Sequence, residues 1–249
     1  MKKSESKIGN LSGSRILADI QSELENLGDP EQAAFLRRFF KTGPGEYGEG
    51  DIFRGIRVPP LRKLAVRYGG ACFPAIKALL GSPFHEDRLL ALLILVRRFS
   101  QGDDAVRKRI YRLYLDNTGR INNWDLVDAS AEHIVGAFLL DRSREPLYRL
   151  AVSSSLWERR IAVTATFHFI RRGDFADTLR IAEMLLLDRE DLIHKATGWM
   201  LREVGKRDPE REKSFLKTHC RRMPRVMLRY AIEKFPEPER RRYLTGQAV

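Results

Sequence analysis

The sequence repeats one short pattern at an almost constant spacing. A basic residue stands one or two positions before an alanine, and a long apolar helical face follows, in WERRIAVTATFHFI, IHKATGWMLREVGK and VMLRYAIEKF. The alanines Ala162, Ala196 and Ala231 are 34 and 35 residues apart. This period is typical of stacked helix pairs and predicts an α-solenoid of helical hairpins. The alternative is a set of unrelated helices whose spacing agrees by chance.

The rest of the chain is also patterned as helices. Apolar residues recur at i, i+3, i+4 and i+7 after residue 14, and no stretch alternates as a half-buried strand would. We therefore expect an all-α protein. Residues 1–13 are predicted to form a disordered N-terminal tail, and residues 14–249 a single helical-repeat domain. The repeated basic residues are predicted to line a concave groove of the solenoid.

The charge balance indicates the sign of the partner. The chain has 45 Lys and Arg against 33 Asp and Glu, a formal net charge of +12. Such an excess favours nucleic acid or another anionic surface as a partner. Ribosomal proteins and membrane-surface proteins share this property, so charge alone leaves the function open.

Several classes of protein are disfavoured by the sequence. The N-terminal segment has no apolar core typical of a signal peptide, and the longest apolar run, residues 89–96, is too short to span a bilayer. The two cysteines match no metal-binding spacing and are predicted to be reduced thiols, and the five histidines show no ligand pattern. We expect an intracellular protein without metal, cofactor or membrane partner.

A glycine-rich segment, residues 43–55, raises the question of a phosphate-binding loop. The segment lacks the G-x-x-x-x-G-K-[ST] pattern, and its acids Glu46, Glu49 and Asp51 would repel a phosphate. We therefore interpret it as a structural turn that leads into the helix at Pro59.

The segment NNWDLVDAS places an indole and two carboxylates within a strongly basic chain. Asn123 can cap a helix, and Asp125 in its first turn is explained by the helix dipole. Asp128 lies beyond the first turn, and its i, i+4 spacing from Trp124 puts both side chains on one face. The alternatives are a reactive carboxylate beside an aromatic surface, or a rim tryptophan with a structural ion pair.

Four segments of the chain carry a resemblance to a known family: NNWDLVD, WERR, HKATGWMLRE and FFKTGPGEYGEGDIFRGIRVPPLRK. From about residue 15 to 243, the sequence resembles the DNA alkylation repair enzymes of the AlkD type. The resemblance implies HEAT-like helical repeats curved around DNA. It also implies hydrolysis of the N-glycosidic bond of N3- and N7-alkylated purines.

Carried over to this sequence, the resemblance assigns the catalytic site to Trp124, Asp128, Arg160 and Trp199. Asp128 would stabilise the developing sugar cation, the two indoles would pack against the cationic nucleotide, and Arg160 would bind a flanking phosphate. A wider set of basic residues is predicted to contact the DNA backbone: Lys41, Arg57, Lys195, Arg202, Arg225 and Arg229.

Two functions are therefore consistent with the sequence. The first is a monomeric DNA glycosylase that acts on duplex DNA containing alkylated purines, in the prokaryotic cytoplasm at the nucleoid. The second is a non-catalytic helical-repeat protein that binds nucleic acid or an acidic protein partner. Both functions require basic surface, but only the first requires a reactive carboxylate at Asp128.

Overall fold

The computed structural model describes residues 13–247, which form two compact units divided after Ser130. Residues 1–12 of the expected N-terminal tail lie outside the described residues, whereas Gly13 begins the first helix. The two units are described separately below, and the single helical-repeat domain over residues 14–249 stays a prediction.

The first unit is helical apart from its turns and one irregular segment, residues 40–57. Its only β-type pairing in the described range is an isolated bridge between Ile52 and Phe84. Its α-helices are α1 (Gly13–Leu27), α2 (Pro30–Phe39), α3 (Val58–Arg67), α4 (Phe73–Leu80), α5 (His85–Gln101), α6 (Asp104–Leu115) and α7 (Trp124–Asp128), with a 3-10 turn at Thr118–Arg120.

The helix α5 is the centre of the first unit. It packs against α3, α4 and α6 and also contacts α7, so apolar residues are buried around most of its circumference. This explains the apolar run at residues 89–96, because a helix enclosed by neighbours needs no polar face. None of the helices described is both long and apolar enough to cross a membrane.

The second unit begins with a π-helical turn at Glu132–Gly136 and continues in helices to its end. Its α-helices are α8 (Ala137–Leu139), α9 (Glu145–Ala151), α10 (Leu156–Ala165), α11 (Phe167–Ile170), α12 (Ala176–Met184), α13 (Asp191–Gly205), α14 (Pro209–His219), α15 (Arg225–Ala231) and α16 (Glu237–Leu244), with a 3-10 turn at Ile232–Lys234. The described residues contain no strand, so the all-α prediction is confirmed.

The repeated sequence pattern corresponds to successive helices of the second unit. Its three copies lie on α10, α13 and α15, and α13 packs against both of the others. The three marker alanines, Ala162, Ala196 and Ala231, are all buried. A small residue at each of these positions lets neighbouring helices approach closely, which accounts for the recurrence of alanine.

Gly198 provides a test of this close helix packing. A Cβ atom at this position of α13 would collide with the carbonyl oxygen of Met227 and the Cβ of Tyr230 on α15. We expect Gly198→Ala to lower the free energy of unfolding by about 2 kcal/mol, because the two helices must separate. Urea denaturation measures the loss. Gly70→Ala is the control, since a Cβ there meets open space, and an equal loss in both variants would contradict the packing account.

Candidate functional site

The helix α7 carries Trp124 and Asp128 at its two ends. Asn123 begins it, and the side-chain oxygen of Asn123 accepts a hydrogen bond from the Trp124 amide at 2.8 Å. Leu126 and Val127 are fully buried, whereas Trp124 and Asp128 are half-buried. The predicted helix cap is therefore confirmed, and this short helix keeps the indole and the carboxylate partly accessible.

An aromatic cluster supports the indole of Trp124 from within the first unit. Phe40 stacks on the Trp124 ring with centroids 5.3 Å apart, and Phe39 packs edge-on against it at 6.0 Å. Phe40 in turn stacks on Phe53 and contacts the His85 ring at 5.0 Å. The indole is therefore fixed by packing on one side, which leaves fewer orientations open to it.

A buried network of charged side chains connects α7 to the start of α5 and to the glycine-rich segment. The His85 imidazole bridges two carboxylates, with Nδ1 at 3.2 Å from Asp51 and Nε2 at 2.8 Å from Asp125. Asp51 also accepts hydrogen bonds from Arg88 at 2.6 Å and from the Asn123 side chain at 3.1 Å. The helix dipole is thus an incomplete explanation of Asp125, because this carboxylate also ties α7 to the start of α5.

The network shifts the proton affinities of its members. Burial disfavours the His85 imidazolium, but Asp125 and Asp51 outweigh burial and raise the pKa of His85 to about 9. Burial likewise opposes the Asp51 carboxylate, but hydrogen bonding from His85 and the charge of Arg88 lower its pKa. At neutral pH, His85 is therefore a buried cation held between two anions.

The glycine-rich segment is a structural element that folds onto the start of α5. The Glu86 carboxylate accepts hydrogen bonds of 2.8 to 3.1 Å from three successive backbone amides, those of Arg54, Gly55 and Ile56. Asp87 pairs with the Arg54 guanidinium through two hydrogen bonds. Acids of α5 thus hold the segment in place, which confirms the interpretation as a structural turn.

Asp128 acts electrostatically on a buried neighbour. Burial raises the pKa of Tyr114, and the Asp128 carboxylate raises it further. The Tyr114 hydroxyl lies 3.0 Å from the Ser130 hydroxyl, which stands two residues after Asp128. The phenol therefore remains neutral and helps to hold the C-terminal end of α7.

Arg160, on α10 in the second unit, is buried with only 5% of its surface exposed. One of its guanidinium nitrogens donates to the carbonyl of Leu192 at 2.6 Å. Since Leu192 lies in the first turn of α13, Arg160 connects α10 to α13. Sequence reasoning assigned this guanidinium to a phosphate, but its burial leaves little surface for that role and favours a role in positioning α13.

Trp199 lies on α13 and is half-buried. Its ring packs edge-on against Phe167, with centroids 5.7 Å apart. The Arg171 guanidinium lies 4.6 Å from the centroid of the Phe167 ring, and it pairs with Glu132 at 2.7 Å. Within the second unit, Trp199 is therefore an aromatic residue that is supported on one side and partly accessible.

The six predicted DNA-backbone residues differ in their surroundings. Lys41 and Arg57 are exposed in the first unit, and Lys195 is half-buried in the second. Arg202 forms an ion pair with Glu233, so it is the least available of the set. Arg225 and Arg229 are exposed, although one Arg225 nitrogen donates to the Leu244 carbonyl.

Sequence reasoning missed the residues that support the indole and its helix. Phe39 and Phe40 were parts of an apolar helix pattern, and His85 was one of five unassigned histidines. An acid cluster follows His85 directly, as HEDR, and this was the available signal for a buried charge network. Among residues 13–247, no group of His, Cys, Asp and Glu side chains is arranged to hold a metal ion, and Cys72 and Cys220 are free thiols.

Comparisons with known proteins identify the family and the fold. The sequence pattern of the family described as DNA alkylation repair enzyme matches residues 20–235. No curated protein sequence matches the chain. A solved structure, a predicted DNA alkylation repair enzyme from Enterococcus faecalis, superposes with a TM-score of 0.65 at 17% identity, over 84% of this chain and 97% of that one.

Two solved Streptococcus mutans structures are also similar. AlkD2 superposes with a TM-score of 0.53 at 18% identity, and the protein smu.31 with a TM-score of 0.52 at 19% identity. Each comparison covers 91% of this chain and all of the other. The fold is thus that of an all-α helical-repeat protein of the AlkD type. The chain belongs to the DNA alkylation repair enzyme family, as the resemblance predicted.

Proposed function

We propose that this protein is a DNA glycosylase that hydrolyses the N-glycosidic bond of cationic N3- and N7-alkylated purines in duplex DNA. Family membership supports alkylation repair as the process. The observation that carries the proposal is the placement of Asp128 and Trp124, both half-buried, at the two ends of one short helix. We propose further that the protein acts as a monomer, at nucleoid DNA in a prokaryotic cytoplasm.

The chemistry of the substrate explains why a carboxylate is needed. An alkylated N3 or N7 purine carries a positive charge and leaves as a neutral base without prior protonation. Positive charge then develops on the deoxyribose, and water adds to the anomeric carbon and loses a proton. A carboxylate about 4 Å from that charge contributes about 4 kcal/mol at an effective dielectric of about 20, or about a thousandfold in rate.

Each proposed residue has a separate task in this scheme. Asp128 stabilises the sugar cation and orients the attacking water. The indoles of Trp124 and Trp199 pack against the cationic nucleotide or its sugar, where a cation–π contact contributes about 0.5 to 2 kcal/mol. The basic residues Lys41, Arg57, Lys195, Arg202, Arg225 and Arg229 contact backbone phosphates, so binding is largely independent of sequence and weakens with salt.

Arg160 is proposed to act through the position of α13, which carries Trp199. We expect Arg160→Ala to slow base release, because α13 loses its hydrogen bond to α10 at Leu192. The salt dependence of DNA binding should be unchanged, since a buried guanidinium does not displace counterions. Fluorescence anisotropy at several salt concentrations measures that dependence.

Arg229→Ala is the matched comparison for the salt measurement, because Arg229 is exposed on α15. Loss of one phosphate contact should make the slope of log affinity against log salt shallower by about 0.9 in that variant. An equally shallow slope in Arg160→Ala would contradict the positioning role. It would instead support the phosphate contact that the family resemblance implies for Arg160.

The proposed activity is tested by release of free 7-methylguanine from methylated duplex DNA, with Asp128→Asn measured alongside the wild type. Enzyme-dependent release that requires Asp128 supports the glycosylase. DNA binding without any release would favour the second function, a non-catalytic helical-repeat protein.

A further inference from the structure

A cavity of about 600 Å³ lies in the first unit between α4 and α6. We call it the α4–α6 cavity. Phe73 and Leu113 contribute apolar surface to it, and Lys77, Lys108, Arg109 and Arg112 contribute four cations. None of its lining residues lies on α7 or belongs to the proposed catalytic or DNA-backbone residues.

The four cations of the cavity are exposed and outnumber the acids of its lining. Asp116 is the one acid in the lining, which also contains four basic side chains. Within the described part of the chain, none of these four cations forms an ion pair.

Two guanidinium groups share one aromatic ring at the edge of the cavity. The Arg109 and Arg98 guanidinium carbons lie 3.9 Å and 4.4 Å from the centroid of the Phe73 ring. Burial lowers the pKa of Arg98, and the nearby charge of Arg109 lowers it further. The fold therefore concentrates like charge at this ring, and a bound anion would relieve the repulsion.

We propose that the α4–α6 cavity binds a phosphate ester, with the phosphate held by Lys108 and Arg112 and the organic part packed against the apolar lining residues Pro74, Ala105 and Leu113. Lys108 and Arg112 are four residues apart on α6 and therefore point the same way. Guanidinium groups match the geometry of phosphate oxygens, and the volume is within the range of small-molecule sites. The ligand is a free nucleotide or a phosphodiester of nucleic acid, two sources with the same chemistry.

The test is calorimetric titration of the full-length protein with adenosine diphosphate at low salt. We expect saturable binding by the wild type and a loss of about tenfold or more in Lys108→Ala/Arg112→Ala, because charge-assisted contacts are removed. The control is Arg62→Ala/Lys63→Ala, which removes the same charge from exposed positions of α3 and should change the affinity by less than about twofold.

Two further titrations identify the source of the phosphate. If undamaged duplex DNA displaces the nucleotide and binds less tightly to the Lys108→Ala/Arg112→Ala variant, the ligand is a nucleic-acid backbone. If DNA does not compete, the ligand is a free nucleotide.

Three results would overturn the proposal: absence of nucleotide binding by the wild type, equal weakening in both double variants, or equally tight binding of polyglutamate. All of these outcomes are independent of base release.

Discussion

Asp128→Asn should release 7-methylguanine from methylated duplex DNA about a thousandfold more slowly than the wild type, because the neutral amide no longer stabilises the sugar cation. The substitution keeps the size and planarity of the side chain, and the half-buried position tolerates a polar group. Affinity for duplex DNA should be unchanged or increased, since the variant removes a negative charge from the surface that we propose to meet phosphates. Single-turnover kinetics with enzyme in excess separate the two effects.

The matched control is Asp19→Asn, which removes one exposed carboxylate from α1. It should release the base at the wild-type rate. Equal rates for Asp128→Asn and the wild type would end the catalytic assignment of Asp128. A parallel fall in release and in thermal stability would instead show that Asp128 is structural.

His85→Gln should remove a pH-dependent part of the stability of the protein. The folded protein holds the His85 proton with a pKa of about 9, against 6.5 for an unperturbed histidine. The stabilisation is therefore complete below pH 6.5 and is lost as the pH rises through 9. A tenfold difference in proton affinity corresponds to about 1.4 kcal/mol, so this contribution amounts to about 3 kcal/mol.

Urea denaturation of wild type and variant from pH 6 to pH 9.5 measures this contribution directly. The difference in unfolding free energy should be largest at pH 6 and should shrink by about 3 kcal/mol towards pH 9.5. His133→Gln is the control, because His133 is exposed and forms no comparable bridge. A difference that stays constant with pH would show that His85 is not a buried cation between Asp51 and Asp125.

The features that follow from local sequence were predictable. Asn123 was recognised as a helix cap because capping depends on neighbouring residues alone. The marker alanines Ala162, Ala196 and Ala231 predicted stacked helices because each copy repeats the same local packing requirement. The structural turn at residues 43–55 followed from its glycines and from the acids that make it a poor phosphate site.

The features that depend on distant parts of the chain were not predictable. His85 and Asp125 are 40 residues apart, and only the packing of α5 against α7 brings them together. The phosphate role of Arg160 was predicted from the family resemblance and the planar guanidinium group, whereas its burial depends on the distant helix α13. The cations of the α4–α6 cavity likewise belong to two separate helices.

The most direct test of the central claim is the appearance of free base when purified wild-type protein is incubated with methylated duplex DNA. Chromatography with mass detection should show 7-methylguanine accumulating with time and enzyme concentration, with abasic sites formed in equal number. Release no faster than the spontaneous loss of 7-methylguanine, with the protein in excess and bound to the DNA, would contradict the glycosylase.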